Sequence, residues 1–151
     1  MTVPPPGYLK ARKAHFEARG MLLIAGEAQT GIGRAGYLFA FMHAGNDVVT
    51  DVLTLSKTLG NGLPLSAVVA SDAIATVCRG RGYLFYTTHV NDPLPAAIGL
   101  RALDIVVRDG LVERSRRLGV RLQAALRELQ TWYACVGDVR GRGLMAGLGT
   151  L

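Results

Sequence analysis

The chain has 151 residues, half of them hydrophobic, with a net charge of +6 and two cysteines. That is enough for one domain with a buried core, and no apolar run is long enough to span a bilayer. The N-terminal stretch MTVPPPGYLKARK lacks the apolar centre of a secretory signal. Cys78 and Cys135 fit no metal-ligand spacing and read as reduced core thiols of a cytoplasmic protein.

The elements follow in chain order. Tyr8 to Arg19 reads as a helix stopped by Gly20. Met21 to Ala25 is a short continuous apolar run, as in a buried strand. A glycine-rich loop extends to Gly36. Val52–Leu55 and Leu65–Ala70 read as two further strands, and Lys57 stands just past the first of them, ahead of Gly60, Asn61 and Gly62. Ser71 is placed to cap a helix over Asp72–Cys78. Phe85–Thr88 reads as extended. Pro93 opens a helix to about Arg108, with Asp92 as its cap. Leu111, Leu118, Leu122, Leu126 and Leu129 recur at helical spacing and predict a long amphipathic helix. Val139–Leu148 is glycine-rich but strand-like. Short apolar strands alternating with helices predict an α/β layer fold.

All but three of the 17 basic residues are arginines. Arg114, Arg116, Arg117, Arg121 and Arg127 fall mostly on the polar face of the long helix. The pairs Arg79-Gly80-Arg81-Gly82 and Arg140-Gly141-Arg142-Gly143 echo RNA-binding segments, but each is short and flanked by apolar residues, so they read as turns. Gly31, Gly33 and Gly36 match G-x-G-x-x-G. The dinucleotide fingerprint needs its first glycine directly after the strand and an acid about 20 residues on; neither condition holds, and these glycines also read as turns. Neither nucleic acid nor membrane is expected as a partner.

Lys57 carries more chemistry. A lysine amine with a lowered pKa captures carbonyls as a Schiff base, and a strand end would fix its position while the following glycines leave room. An ordinary lysine snorkelling from a strand edge is the competing reading.

The segments EAQTGIGRAG, DVLTLSKTLGNGLPLSAVV and RGRGLMAGL, in this order and spacing, resemble the class-III aminotransferases, pyridoxal-phosphate enzymes of fold type I. FYTTHVNDPLPAAIGLRALDIVVRDGLVERS is similar to the dialkylglycine decarboxylase branch. The resemblance covers nearly the whole chain. It implies part of a large cofactor-binding domain over residues 1–135, a mixed, mostly parallel sheet with flanking helices, and the start of a smaller C-terminal domain over 136–151. It implies that Lys57 holds the cofactor as an internal aldimine, that Gln29 lies near the ring oxygen, and that Thr88 binds cofactor phosphate across a dimer interface. It also implies an alkali-metal site, for potassium or sodium, at Thr88, Val90 and Asp92. Amino acids and keto acids are the implied substrates, and a homodimer or higher oligomer the implied assembly.

Two departures accompany the resemblance. The family pattern has an aspartate where this chain has Gly26. That aspartate keeps the ring nitrogen protonated, so the ring can act as an electron sink. Glu27 is adjacent, but successive strand side chains point to opposite faces. The family's upstream phosphate cup and C-terminal substrate arginine have no counterpart in the sequence. Two function classes therefore stay open: a pyridoxal-phosphate enzyme, or an inactive remnant that at most binds a partner. A nucleotide- or RNA-binding module is a more distant third.

Overall fold

The computed structural model describes residues 1–150. Helix α1 (Tyr8–Glu17) leads to strand β1 (Ile24–Gly26). A loop with one 3-10 turn at Ala40–Ala44 returns the chain to β2 (Val52–Leu55). A second 3-10 turn, Lys57–Gly60, precedes β3 (Ala67–Ala70). Helices α2 (Asp72–Gly80), α3 (Pro93–Arg108) and α4 (Leu111–Trp132) follow, and β4 (Val136–Arg142) and β5 (Met145–Thr150) come last.

The sheet order is β1-β2-β3. β1 runs parallel to β2, pairing Gly26 with Thr54. β3 is antiparallel to β2, pairing Thr54 with Val68. With a side-chain period of two, Ala25, Leu53, Leu55 and Ala67 share one face, and Ile24, Gly26, Thr54 and Val68 the other. The first face is the core side. Leu53 and Leu55 pack there with Ile32 and Leu59, flanked by Phe39, Phe41, Leu103 and Val106. The second face is open, with Ile24 61% and Val68 72% exposed.

Several predicted boundaries shift. β1 starts at Ile24 rather than Met21, and Met21 and Leu22 lie exposed before it. The reason is an anchor at Leu23. Its amide donates to the Asp51 carboxylate (2.7 Å), and its carbonyl accepts from the amides of Asp51 and Val52. Phe85–Thr88 pairs with no strand among the described residues and forms part of an exposed arch ahead of α3. Neither cysteine belongs to the core: Cys78 is half-buried on α2 and Cys135 is exposed just before β4. The predicted 139–148 strand is a hairpin of two, turning at Gly143.

On α4 the predicted leucines are all only half-buried, and the buried positions are Ser115, Gly119 and Gln123. Glycine is needed at position 119, because a Cβ there would overlap the Gly143 carbonyl. On its other side the Gly143 backbone lies against Ala35 and Gly36. The Arg34 carbonyl accepts from the Ser115 hydroxyl (3.0 Å) and the Leu144 amide (2.9 Å). The glycines of GIGRAG and of the second RGRG pair thus serve close packing: Gly33 abuts Val112 and Gly36 abuts Arg116.

The local caps form as predicted. Ser71 accepts from the Ile74 amide (3.4 Å), and Asp92 from the Leu94 amide (3.3 Å).

Lys13 of α1 reaches both Asp51 carboxylate oxygens at 2.8 Å and pairs with Glu17 at 3.3 Å. The bond to Lys13 holds the Asp51 carboxyl below its ordinary pKa, and the bond to Asp51 raises Lys13 above its own. A depressed carboxyl contributes stability that is present above its unfolded pKa and lost as pH falls through the folded value. A raised amine contributes stability present below its unfolded pKa and lost as pH rises through the folded value. The pair is therefore at full strength from about pH 4 to about pH 10. Asp51→Asn is expected to cost about 1–2 kcal/mol at pH 7, with the difference closing as pH falls through the lowered Asp51 pKa. Urea midpoints of both proteins across pH check this.

Candidate functional site

β1 and β2 are parallel, so their C-terminal ends lie side by side. In open α/β sheets that edge is where ligands bind. It carries Gly26, Glu27 and the turn containing Gln29 on one strand, and Thr54, Ser56 and Lys57 on the other.

Lys57 departs from the strand in an unusual way. Continuing the alternation 53, 55, 57 would send its side chain into the core row of Leu53 and Leu55. Instead Ser56 is fully extended and Lys57 has φ +52°, in the left-handed region. That conformation costs a non-glycine residue roughly 1–2 kcal/mol, and it turns Lys57 out to solvent. The two other lysines are tied down: Lys10 pairs with Asp47, and Lys13 with Asp51 and Glu17. Among the described residues, Lys57 has no ion-pair partner.

A second strained residue supports this edge. Ile32 has φ +56° and is 5% exposed, packed on Leu53, Leu55 and Leu59. A β-branched residue in that region persists only where its surroundings over-determine it. Leu59 lies in the turn that begins with Lys57, so one core cluster braces both the loop after β1 and the turn after β2.

Glu27 is 4% exposed, and no sequence motif points to its role. One oxygen accepts from the Phe41 amide at 2.8 Å, and the other from the Thr30 hydroxyl. Its own amide donates to the Thr54 carbonyl (2.9 Å). Both carboxylate oxygens are engaged in closing the loop that carries Gln29, so Glu27 does not stand in for an anion at position 26. Glu27→Ala is expected to destabilise the fold by about 2 kcal/mol, since it strands a hydroxyl and an amide that it now satisfies. Hydrogen exchange at the Phe41 amide should accelerate accordingly.

Gly26 itself is open. A Cβ built there meets only Thr54 Oγ1, at 3.8 Å, an ordinary contact. Gln29 is exposed on the turn after β1.

The second group of predicted site residues lies on the arch before α3. Thr88, Val90 and Asp92 are all within it, and Thr88 is exposed. A cleft of about 480 Å³ runs along the arch, bordered by Leu65, Ser66, Thr87, His89, Asp92 and Ala96. Asp92 gives one oxygen to the Leu94 amide, and its other oxygen lies 3.6 Å from His89 Nδ1. Asp92 thus caps α3, as its position ahead of Pro93 predicts. No group of three or more His, Cys, Asp or Glu side chains converges as a metal site among the described residues.

Parallel strands whose adjoining ends hold a glutamine turn and a solvent-facing lysine, backed by helices, belong to the fold-type-I transaminase fold. The chain is a member of the class-III aminotransferase family, whose description (Aminotransferase class-III) matches residues 1–150. An uncharacterized aminotransferase of Schizosaccharomyces pombe is 53% identical over 144 residues, which cover 95% of this chain and 32% of that protein. The acetylornithine aminotransferase of Streptomyces coelicolor is 40% identical over 148 residues, 98% of this chain and 36% of that protein. Among solved structures, taurine:2-oxoglutarate aminotransferase from Bifidobacterium kashiwanohense, in complex with PLP and glutamate, superposes with a TM-score of 0.90 at 26% identity. That match covers 99% of this chain and 33% of the other. The chain thus spans about a third of the length of the relatives it matches.

Proposed function

We propose that this chain forms part of a pyridoxal-phosphate-dependent aminotransferase acting on an amino acid and keto acid pair, with Lys57 as the residue that holds the cofactor. When bound, pyridoxal phosphate supplies an aldehyde carbon that an amine captures with loss of one water, and a ring that withdraws electrons from it. The observation that carries the reading is the backbone of Lys57. A left-handed, unpaired lysine at the end of parallel strands is strained for no packing benefit, and such strain collects at functional sites.

Around it, Glu27 fixes the turn that presents Gln29 toward the same edge. Thr88 makes no side-chain hydrogen bond among the described residues, which suits a role toward the cofactor phosphate of a second copy. The exposed Tyr83, Leu84, Phe85 and Tyr86 beside it, with the open sheet face, favour a homodimer or higher oligomer. The β4–β5 hairpin is the proposed start of the smaller C-terminal domain. Transamination is preferred to a decarboxylase-like specificity because the Schizosaccharomyces pombe and Streptomyces coelicolor relatives are named as aminotransferases.

The residues fit the aldehyde end of the cofactor and depart from it at the ring nitrogen, where Gly26 offers no anion. That departure favours a second reading, an inactive remnant. Titration with pyridoxal phosphate separates the two. An absorption band red-shifted from the free aldehyde, saturating at about one equivalent, is expected for the enzyme reading. A spectrum that stays that of the free aldehyde would falsify it.

A further inference from the structure

We infer that the Thr54 hydroxyl takes the place of the missing anion, donating a hydrogen bond to an unprotonated ring nitrogen of the cofactor that Lys57 holds. This rests on the proposed role of Lys57 and deepens it.

The geometry begins with register. Gly26 and Thr54 are cross-strand partners, and both belong to the open face of the sheet. A Cβ at position 26 would have Thr54 Oγ1 as its sole neighbour within 4 Å, at 3.8 Å. The group flanking the vacated position is therefore a hydroxyl. Thr54 is half-buried, and its side chain makes no hydrogen bond among the described residues, although its carbonyl accepts from Glu27. A hydroxyl at such a position has a free donor.

Reach is consistent with this. Thr54 lies in β2 and Lys57 three residues further on in the following turn, so the chain separates them by at most about 10 Å. A lysine side chain with a pyridine ring on its end spans that length when it folds back over the strand. The left-handed turn at Lys57 is what removes the side chain from the core row and permits such a path. Without a side chain at position 26, the ring can also settle nearer the sheet.

Other acids near the edge do not compete. The Glu27 oxygens are engaged by Thr30 and Phe41. Asp51 lies at the start of β2 and is held by Lys13 and the Leu23 amide. A neutral donor leaves the ring nitrogen unprotonated, and a neutral ring withdraws electrons less strongly than a pyridinium.

The test uses the full chain loaded with pyridoxal phosphate labelled with ¹⁵N in the ring. At neutral pH the ring nitrogen should resonate in the range of a neutral, hydrogen-bonded pyridine. Thr54→Val, which keeps shape and strand propensity, should move the resonance toward free pyridine and weaken cofactor binding about five- to tenfold. Thr54→Ser should retain both properties. Gly26→Asp should move the resonance into the pyridinium range. A pyridinium resonance in the unsubstituted chain overturns the inference, as does a resonance unchanged by Thr54→Val. Borohydride trapping on Lys57 distinguishes the two levels. If Lys57 is not trapped, this inference falls with the reading beneath it. If Lys57 is trapped and the resonance ignores Thr54, the inference alone falls.

Discussion

Lys57→Ala is expected to abolish the borohydride-stable pyridoxyl label on this chain, lowering incorporation at neutral pH by at least about tenfold. The three lysines differ in their surroundings rather than their chemistry. Lys13 is a hydrogen-bonded ammonium, held protonated by Asp51, and Lys10 is paired with Asp47. Lys57 has no such partner among the described residues and stands at the strand edge with glycines behind it. Lys10→Ala and Lys13→Ala should leave the label in place. Peptide mapping after brief reduction gives the comparison directly, and equal labelling of all three lysines would show that no organised site exists.

The second large effect is expected far from that edge. Gly119→Val should destabilise the fold by about 3 kcal/mol or more, because its side chain would enter the Gly143 backbone, which in turn cannot retreat from Ala35. Gly143→Ala should be similarly severe, since it adds the same kind of overlap to a φ of +55°. For a chain of this size such losses correspond to a fall in Tm of about 10 °C. Gly110→Ala is the control. Its φ is +60°, but nothing lies within 4 Å, so only the backbone cost of about 1 kcal/mol is expected. Thermal melts of the three variants would separate overlap from backbone strain.

What can be read from the sequence is the chemistry that acts locally. Ser71 and the Asp92-Pro93 pair announce helix starts because a cap is satisfied within three residues of itself. The arginines of α4 are legible as a solvated face, since a helix repeats its exposure every turn. Met21 and Leu22 look like strand but are not, because apolar content says nothing about where pairing begins, and Asp51 sets that point from 28 residues away. Phe85–Thr88 has strand composition but no partner strand among the described residues. At the site, Lys57 is visible through its motif, whereas its left-handed backbone is not, because no lysine advertises a positive φ. Glu27 is hidden because its partner Phe41 lies 14 residues further on. Gln123 is without an account: it is buried on α4 against Gly141, and its amide has no hydrogen-bond partner among the described residues.

The φ of +52° at Lys57 also sets an evolutionary direction. Glycine or asparagine at this position would relieve the backbone and add roughly 1 kcal/mol of stability. The backbone at this position therefore favours glycine or asparagine over lysine. A lineage in which the amine had ceased to matter would drift toward one of those two residues, since neutral change accumulates where it relieves such strain. Lysine at a left-handed position thus serves as a clock for loss of function, one that starts only when selection on the amine stops.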